Sequence, residues 1–170
     1  MPLPVNRASR VLSVTVARRP DLGAGVVFNA ELSRSYDRVR GELVLADDPA
    51  ASYDRLLAAA DSADVVVVGS YVSQNYLSTS TGASRAFADF MQTLVARGRR
   101  PVLVAFGNPY LLIQVPHAPV YLVAWGGFAV SQQAAALALT GQISITGRLP
   151  ISIPPLVPYG AGERREARRP

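Results

Sequence analysis

The sequence has no cysteine, no lysine and a single histidine, and it carries no aspartate or glutamate between Asp64 and Asp89 or between Asp89 and Glu163. Each absence removes a class of function. Without cysteine there can be neither a disulfide framework nor a thiolate-ligated zinc or iron-sulfur site. The one histidine, His117, lies in the turn Pro116-His117-Ala118-Pro119. It reads as a turn residue, and the Gly-x-Ser-x-Gly elbow of a serine hydrolase is missing. Ser70, Ser73, Ser78 and Ser80 therefore read as loop residues following an apolar strand. Metal ligation would fall to carboxylates alone, and Asp47-Asp48 before Pro49 is a turn composition. All basic residues are arginine, which a nucleotide bias explains better than a demand for bidentate recognition.

Long apolar runs are absent too. No window reaches the roughly 18 continuous apolar residues that span a bilayer. The short run 11–17, preceded by Arg7 and Arg10, alternates like a strand and is not read as a signal peptide. The sequence assigns no compartment. The net charge of +5 is scattered, with Arg164, Arg165, Arg168 and Arg169 set against Glu163 and Glu166 near the C-terminus. Without a stripe of interleaved aromatic and basic residues, neither nucleic acid nor membrane is an expected partner.

What is there is a well-packed domain. With 170 residues, 49% hydrophobic and 17% charged, one core can bury roughly 70% of the surface of the unfolded chain. Strands are expected at 11–17, 38–45, 64–69, 101–106 and 120–124, and helices at 28–36, 51–62, 84–97 and 131–139. The run Val65-Val66-Val67-Val68 offers no polar face, so its strand should be covered on both sides, as in a parallel sheet. The alternation predicts an α/β fold, a three-layer αβα sandwich. Its doubly wound sheet is mostly parallel, of about six strands, with one antiparallel or edge strand at 151–153 beside Pro150 and Pro154. The domain is expected to cover 1–158, with a flexible basic tail over 159–170.

In such a sheet ligands bind beyond the carboxyl ends of the strands. The residues there are neutral or aromatic: Ser70, Tyr71, Gln74, Asn75, Tyr76, Asn108, Tyr110, Trp125, Ser131 and Gln132. They suit a sugar or a neighbouring domain, and many would simply satisfy local backbone. Glycosidic cleavage ordinarily needs two carboxylates roughly 5 to 10 Å apart, and these loops supply none. Gly23-Ala24-Gly25 with Glu42 downstream raises a dinucleotide site, but the third glycine is missing and Phe28 stands where a small residue would be needed.

The segments Asp64-Val-Val-Val-Val68, Phe106-Gly-Asn-Pro-Tyr110, the helix ending at Gly141, and Gly147-Arg148-Leu149-Pro150 occur in this order over residues 10–154. Together they resemble the C-terminal α/β domain of family 3 glycoside hydrolases, especially the β-N-acetylhexosaminidase-like branch. The resemblance implies a domain packed behind a (β/α)8 barrel that carries the aspartate nucleophile, and a chain of this length has no room for a barrel of about 250 residues. It implies an accessory domain, whether fragment, split product or stand-alone. No residue of this chain would then be catalytic and no cofactor would be held. Its partner would be the barrel, acting on terminal β-linked N-acetylhexosamine or a similar sugar. Ser70, Tyr71, Asn108 and Tyr110 would be the candidate substrate-binding residues, and Gly147 and Pro150 would serve a tight turn and a strand edge. The barrel-facing surface should be apolar, and self-association would be one way to hide it. Two alternatives stand beside this reading: a non-catalytic carbohydrate-binding or interaction domain, and a nucleotide-binding α/β protein suggested by Gly23 and Gly25.

Overall fold

The computed structural model describes residues 3, 6–17, 22–73 and 84–168. Its elements alternate along the chain: β1 (Arg10–Ala17), α1 (Val26–Ser35), β2 (Arg38–Leu45), α2 (Ala50–Asp61), β3 (Val65–Ser70), α3 (Arg85–Ala96), β4 (Val102–Ala105), β5 (Val120–Val123) and α4 (Ala129–Leu139). A single 3-10 turn, Pro109–Ile113, sits between β4 and β5. All five strands are parallel, in the order β2-β1-β3-β4-β5.

The valine run explains the layering. Successive side chains on a strand point to opposite faces, so Val66 and Val68 join one core while Val65 and Val67 join the other. On the first face they meet Tyr53, Leu56, Phe87, Phe90 and Leu94 from α2 and α3. On the second they share a cluster with Phe28 and Leu32 of α1 and Ala135, Ala136 and Leu139 of α4. Each valine, leucine or phenylalanine side chain fully buried in these clusters contributes about 1.5–3 kcal/mol. Helix boundaries follow local chemistry as well. Ser84 caps α3 by accepting the Phe87 N–H at 3.2 Å. Gly98 and Gly141, both at positive φ, follow the C-terminal ends of α3 and α4, where a left-handed residue commonly terminates a helix.

The C-terminal region departs from expectation. The antiparallel strand foreseen at 151–153 does not join the sheet; Ile153, deeply buried, forms an isolated antiparallel bridge with Val157. Prolines at 150, 154 and 155 withhold donors on both sides of this short run, so it folds back on itself instead of extending a ladder. The described part of the segment expected to form a flexible tail, residues 159–168, lies alongside residues 141–149. Ile145 and Arg165 exchange backbone hydrogen bonds, the Leu149 N–H donates to the Ala161 carbonyl, and the Arg168 N–H donates to Gly141.

At the amino end of the sheet, one carboxylate joins two strands. Asp64 accepts from the Arg10 backbone N–H at 2.8 Å and from its guanidinium at 2.8 and 3.2 Å. These hydrogen bonds hold the Asp64 carboxyl at about 2, against an ordinary value of 3.8. Because the folded value is depressed, its stabilising effect should be complete above the ordinary value and vanish as pH falls through about 2. NMR titration of the Asp64 carboxyl carbon checks the value. An Asp64→Asn variant should lose the corresponding part of the acid-side pH dependence of folding and keep the rest.

Candidate functional site

The loops gathered at the carboxyl ends of the strands rest on a buried aromatic stack. The Tyr71 ring, just past β3, lies parallel to Phe106, just past β4, at 4.4 Å between centroids, and Phe106 meets Phe28 of α1 edge-on at 5.4 Å. Gly69 and Gly127 let backbone approach this stack, and Gly107 lets the loop after β4 approach the Val72 backbone. A Cβ on Gly107 would stand 2.4 Å from the Val72 carbonyl oxygen, and one on Gly127 would touch the Tyr71 ring at 3.1 Å.

Gln132 ties the rim together. It is buried at the start of α4, yet every polar atom of its amide is used: Oε1 accepts the Phe28 N–H at 3.1 Å, and Nε2 donates to the Gly23 carbonyl at 3.0 Å and the Gly127 carbonyl at 2.7 Å. One side chain thereby fixes the loop after β1 against the loop after β5. The sequence placed Gln132 among crevice residues, but nothing in it announced this bridging role.

The four candidate substrate-binding residues fall at this end of the sheet, and three of them are buried. Ser70 and Tyr71 are interior. Asn108 is interior as well, and its Oδ1 accepts the Tyr110 N–H at 2.9 Å, capping the 3-10 turn that Pro109 begins. Tyr110 is partly exposed. The Asn-Pro pair is a readable cap signal for this turn. Gln74, Asn75, Tyr76, Ser78 and Ser80 lie outside the described residues.

What the rim does expose is apolar. Leu22, Phe128 and Val130 are each more than two-thirds exposed, and Val26 and Trp125 are at least half exposed. Trp125 has φ 61°, the sole non-glycine residue at positive φ among the described residues. That conformation costs roughly 1–2 kcal/mol in an L-residue, so the surrounding loop must hold it in place. No carboxylate lies in the described parts of these loops (70–73, 106–113 and 124–130), and no group of three metal-ligating side chains occurs among the described residues. No helix there is long and apolar enough to cross a membrane.

Gly25 has a structural explanation. It sits at φ 76°, and a Cβ there would lie 2.3 Å from the Thr15 hydroxyl of β1. Close packing of α1 on the sheet accounts for glycine at this position. In the Gly147-Arg148-Leu149-Pro150 segment the tight approach belongs elsewhere. A Cβ on Gly147 meets nothing within 4 Å, whereas one on Gly162 would stand 2.6 Å from the Gly147 carbonyl oxygen. Arg148 donates to the Gly162 carbonyl at 2.6 Å, Leu149 pairs with Gly160 and Ala161, and Pro150 is exposed.

No family model and no curated protein matches the sequence. Solved structures do. A family 3 β-N-acetylglucosaminidase from Paenibacillus sp. str. FPU-7 superposes with a TM-score of 0.72 at 21% identity, over 87% of this chain and 28% of its own. A fungal multi-domain GH3 β-N-acetylglucosaminidase gives 0.70 at 22%, over 95% of this chain and 18% of its own. A GH3 exo-β-xylosidase gives 0.62 at 14%, over 88% and 22%. The likeness is one of fold, and it bears out the resemblance at that level: this chain has the α/β fold that these enzymes contain, and it spans less than a third of each of them.

The bridging role of Gln132 is testable. Gln132→Ala removes three hydrogen bonds, while the Gly23 carbonyl keeps the Val26 N–H, a loss of about 2–4 kcal/mol. Urea denaturation should register that loss, and exchange of the Phe28 amide should accelerate. A change under about 0.5 kcal/mol would mean the rim holds without it.

Proposed function

We propose that this chain acts as the C-terminal accessory domain of a family 3 glycoside hydrolase, whether in the same polypeptide as its barrel or as a separate one. Its parent activity is the hydrolysis of terminal β-linked N-acetylhexosamine or a similar sugar. The reading rests on one combination: no carboxylate in the described loops after β3, β4 and β5, and large apolar side chains exposed on the segments after β1 and β5 that Gln132 holds side by side. Such a surface can cover and shape a neighbouring site, but its described loops after β3, β4 and β5 hold no carboxylate pair of the kind glycosidic cleavage needs, and Asp48 in the loop after β2 accepts the Leu45 N–H at 2.9 Å. The fold likeness to two N-acetylglucosaminidases, each far longer than this chain, supports both the sugar and the missing partner. Trp125, Phe128 and Val130 form the contact with the barrel, beside Leu22 and Val26. Self-association through the same patch would be the means of hiding it in the isolated protein.

The isolated chain should not turn over an aryl β-N-acetylglucosaminide. Mixed with a family 3 N-acetylglucosaminidase barrel lacking its own second domain, it should form a one-to-one complex by light scattering. Phe128→Ser with Val130→Ser should weaken that complex at least about tenfold, the loss of two buried anchors. Turnover by the chain alone that depends on one of its residues would overturn the accessory role.

A second reading, sugar binding by the chain on its own, is favoured by Trp125, whose indole is half exposed beside the crevice. An exposed ring face can stack on a pyranose. Calorimetric titration with N-acetylglucosamine should then show millimolar binding that disappears in Trp125→Ala. No heat from the unaltered protein would exclude this reading and leave the accessory role untouched.

A further inference from the structure

The two edges of the sheet are finished differently. β2 carries Arg38, Arg40 and Glu42, charges of the kind that keep an edge from pairing with another chain. β5, Val120-Tyr121-Leu122-Val123, carries none, and all four residues are only partly buried. The Ala124 N–H donates to Ala105 at 2.9 Å. By the two-residue alternation of a strand, the backbone groups of Val120 and Leu122 also serve β4, while those of Tyr121 and Val123 point away from it. No backbone partner for these outward groups occurs among the described residues.

Beside this edge runs a cleft of about 600 Å³, between β5 and the C-terminal segment. Leu112, Ile145, Leu149, Ile153 and Val157 supply apolar walls, and Trp125 lies at the carboxyl end of the strand. Arg100, Arg148, Arg165 and Glu163 also line it. Glu163 is neutralised by Arg165 at 2.5 Å. Arg100 and Arg148 have no carboxylate partner among the described residues, so the cleft is positive.

We infer that this cleft takes an extended acidic peptide with apolar residues at alternate positions, which adds to β5 as a sixth strand. Main-chain pairing satisfies the outward groups of Tyr121 and Val123, alternate side chains fill the apolar walls, and the carboxylates between them meet Arg100 and Arg148. Strand addition draws affinity from the backbone and specificity from those alternating positions. The inference is independent of the accessory role proposed above.

The probe is a capped hexapeptide alternating valine and glutamate. Its binding is read from the fluorescence of Trp125, the single tryptophan of the chain. A saturable emission change is expected below millimolar peptide. The same peptide with alternate amides methylated, in either register, should bind at least tenfold more weakly, and a valine-lysine peptide should not bind. Arg100→Glu with Arg148→Glu should weaken binding at least tenfold. Val123→Pro should abolish it while leaving the β4 ladder intact, because that N–H faces away from β4. No emission change up to millimolar peptide would overturn the inference. So would equal binding of the methylated peptides, which needs no protein variant, or a dimer formed through β5 that excludes the peptide.

Discussion

Everything in this fold depends on covering β3 from both sides. Four consecutive valines leave no face for water, so one layer of helices cannot suffice. Alternation along the strand divides them between two cores, Val66 and Val68 with α2 and α3, and Val65 and Val67 with α1 and α4. Once each crossover passes over one face or the other, through α1, α2 and α3 and through the 3-10 turn between β4 and β5, all strands run the same way. Every loop that follows a strand is then delivered to the same end of the sheet. The functional surface is a by-product of that requirement.

At that end the molecule puts its polar groups to structural use and leaves its apolar ones outside. Gln132 is committed to three backbone partners, and Asn108 caps a turn. Trp125 and Phe128 on the loop after β5 and Val130 in the first turn of α4 face solvent instead, and the backbone of Trp125 is held at positive φ by what surrounds it. Strain of this kind persists only where neighbouring structure over-determines it, and here Gln132 and the Tyr71 ring against Gly127 provide the hold. The rim is therefore tied together and apolar, with no carboxylate in the described loops after β3, β4 and β5, a combination suited to covering another protein's site.

The valine run, the apolar spacing of the helices and the glycine stops made the strand and helix sequence legible, with boundaries off by no more than about three residues. The carboxyl-end location of the candidate residues was legible for the same reason. Their burial was not: whether Ser70, Tyr71 and Asn108 face the crevice or the core depends on the close approach of Gly107 and Gly127, a tertiary fact with no local signature. The C-terminal region misled for a related reason. Alternation at Ile151-Ser152-Ile153 suggested a sheet strand, but flanking prolines turned the segment back on Val157, and the charged stretch beyond found backbone partners at Ile145 and Leu149.

The central claim is that this domain works by covering a partner with its carboxyl-end rim. Hydrogen-deuterium exchange of the chain, alone and with an N-acetylglucosaminidase barrel, tests it most directly. The account predicts new protection at residues 22–26 and 125–131, with the β2 edge at 38–45 unchanged. Protection at the β2 edge without any at the rim, or none anywhere at saturating barrel, would contradict it.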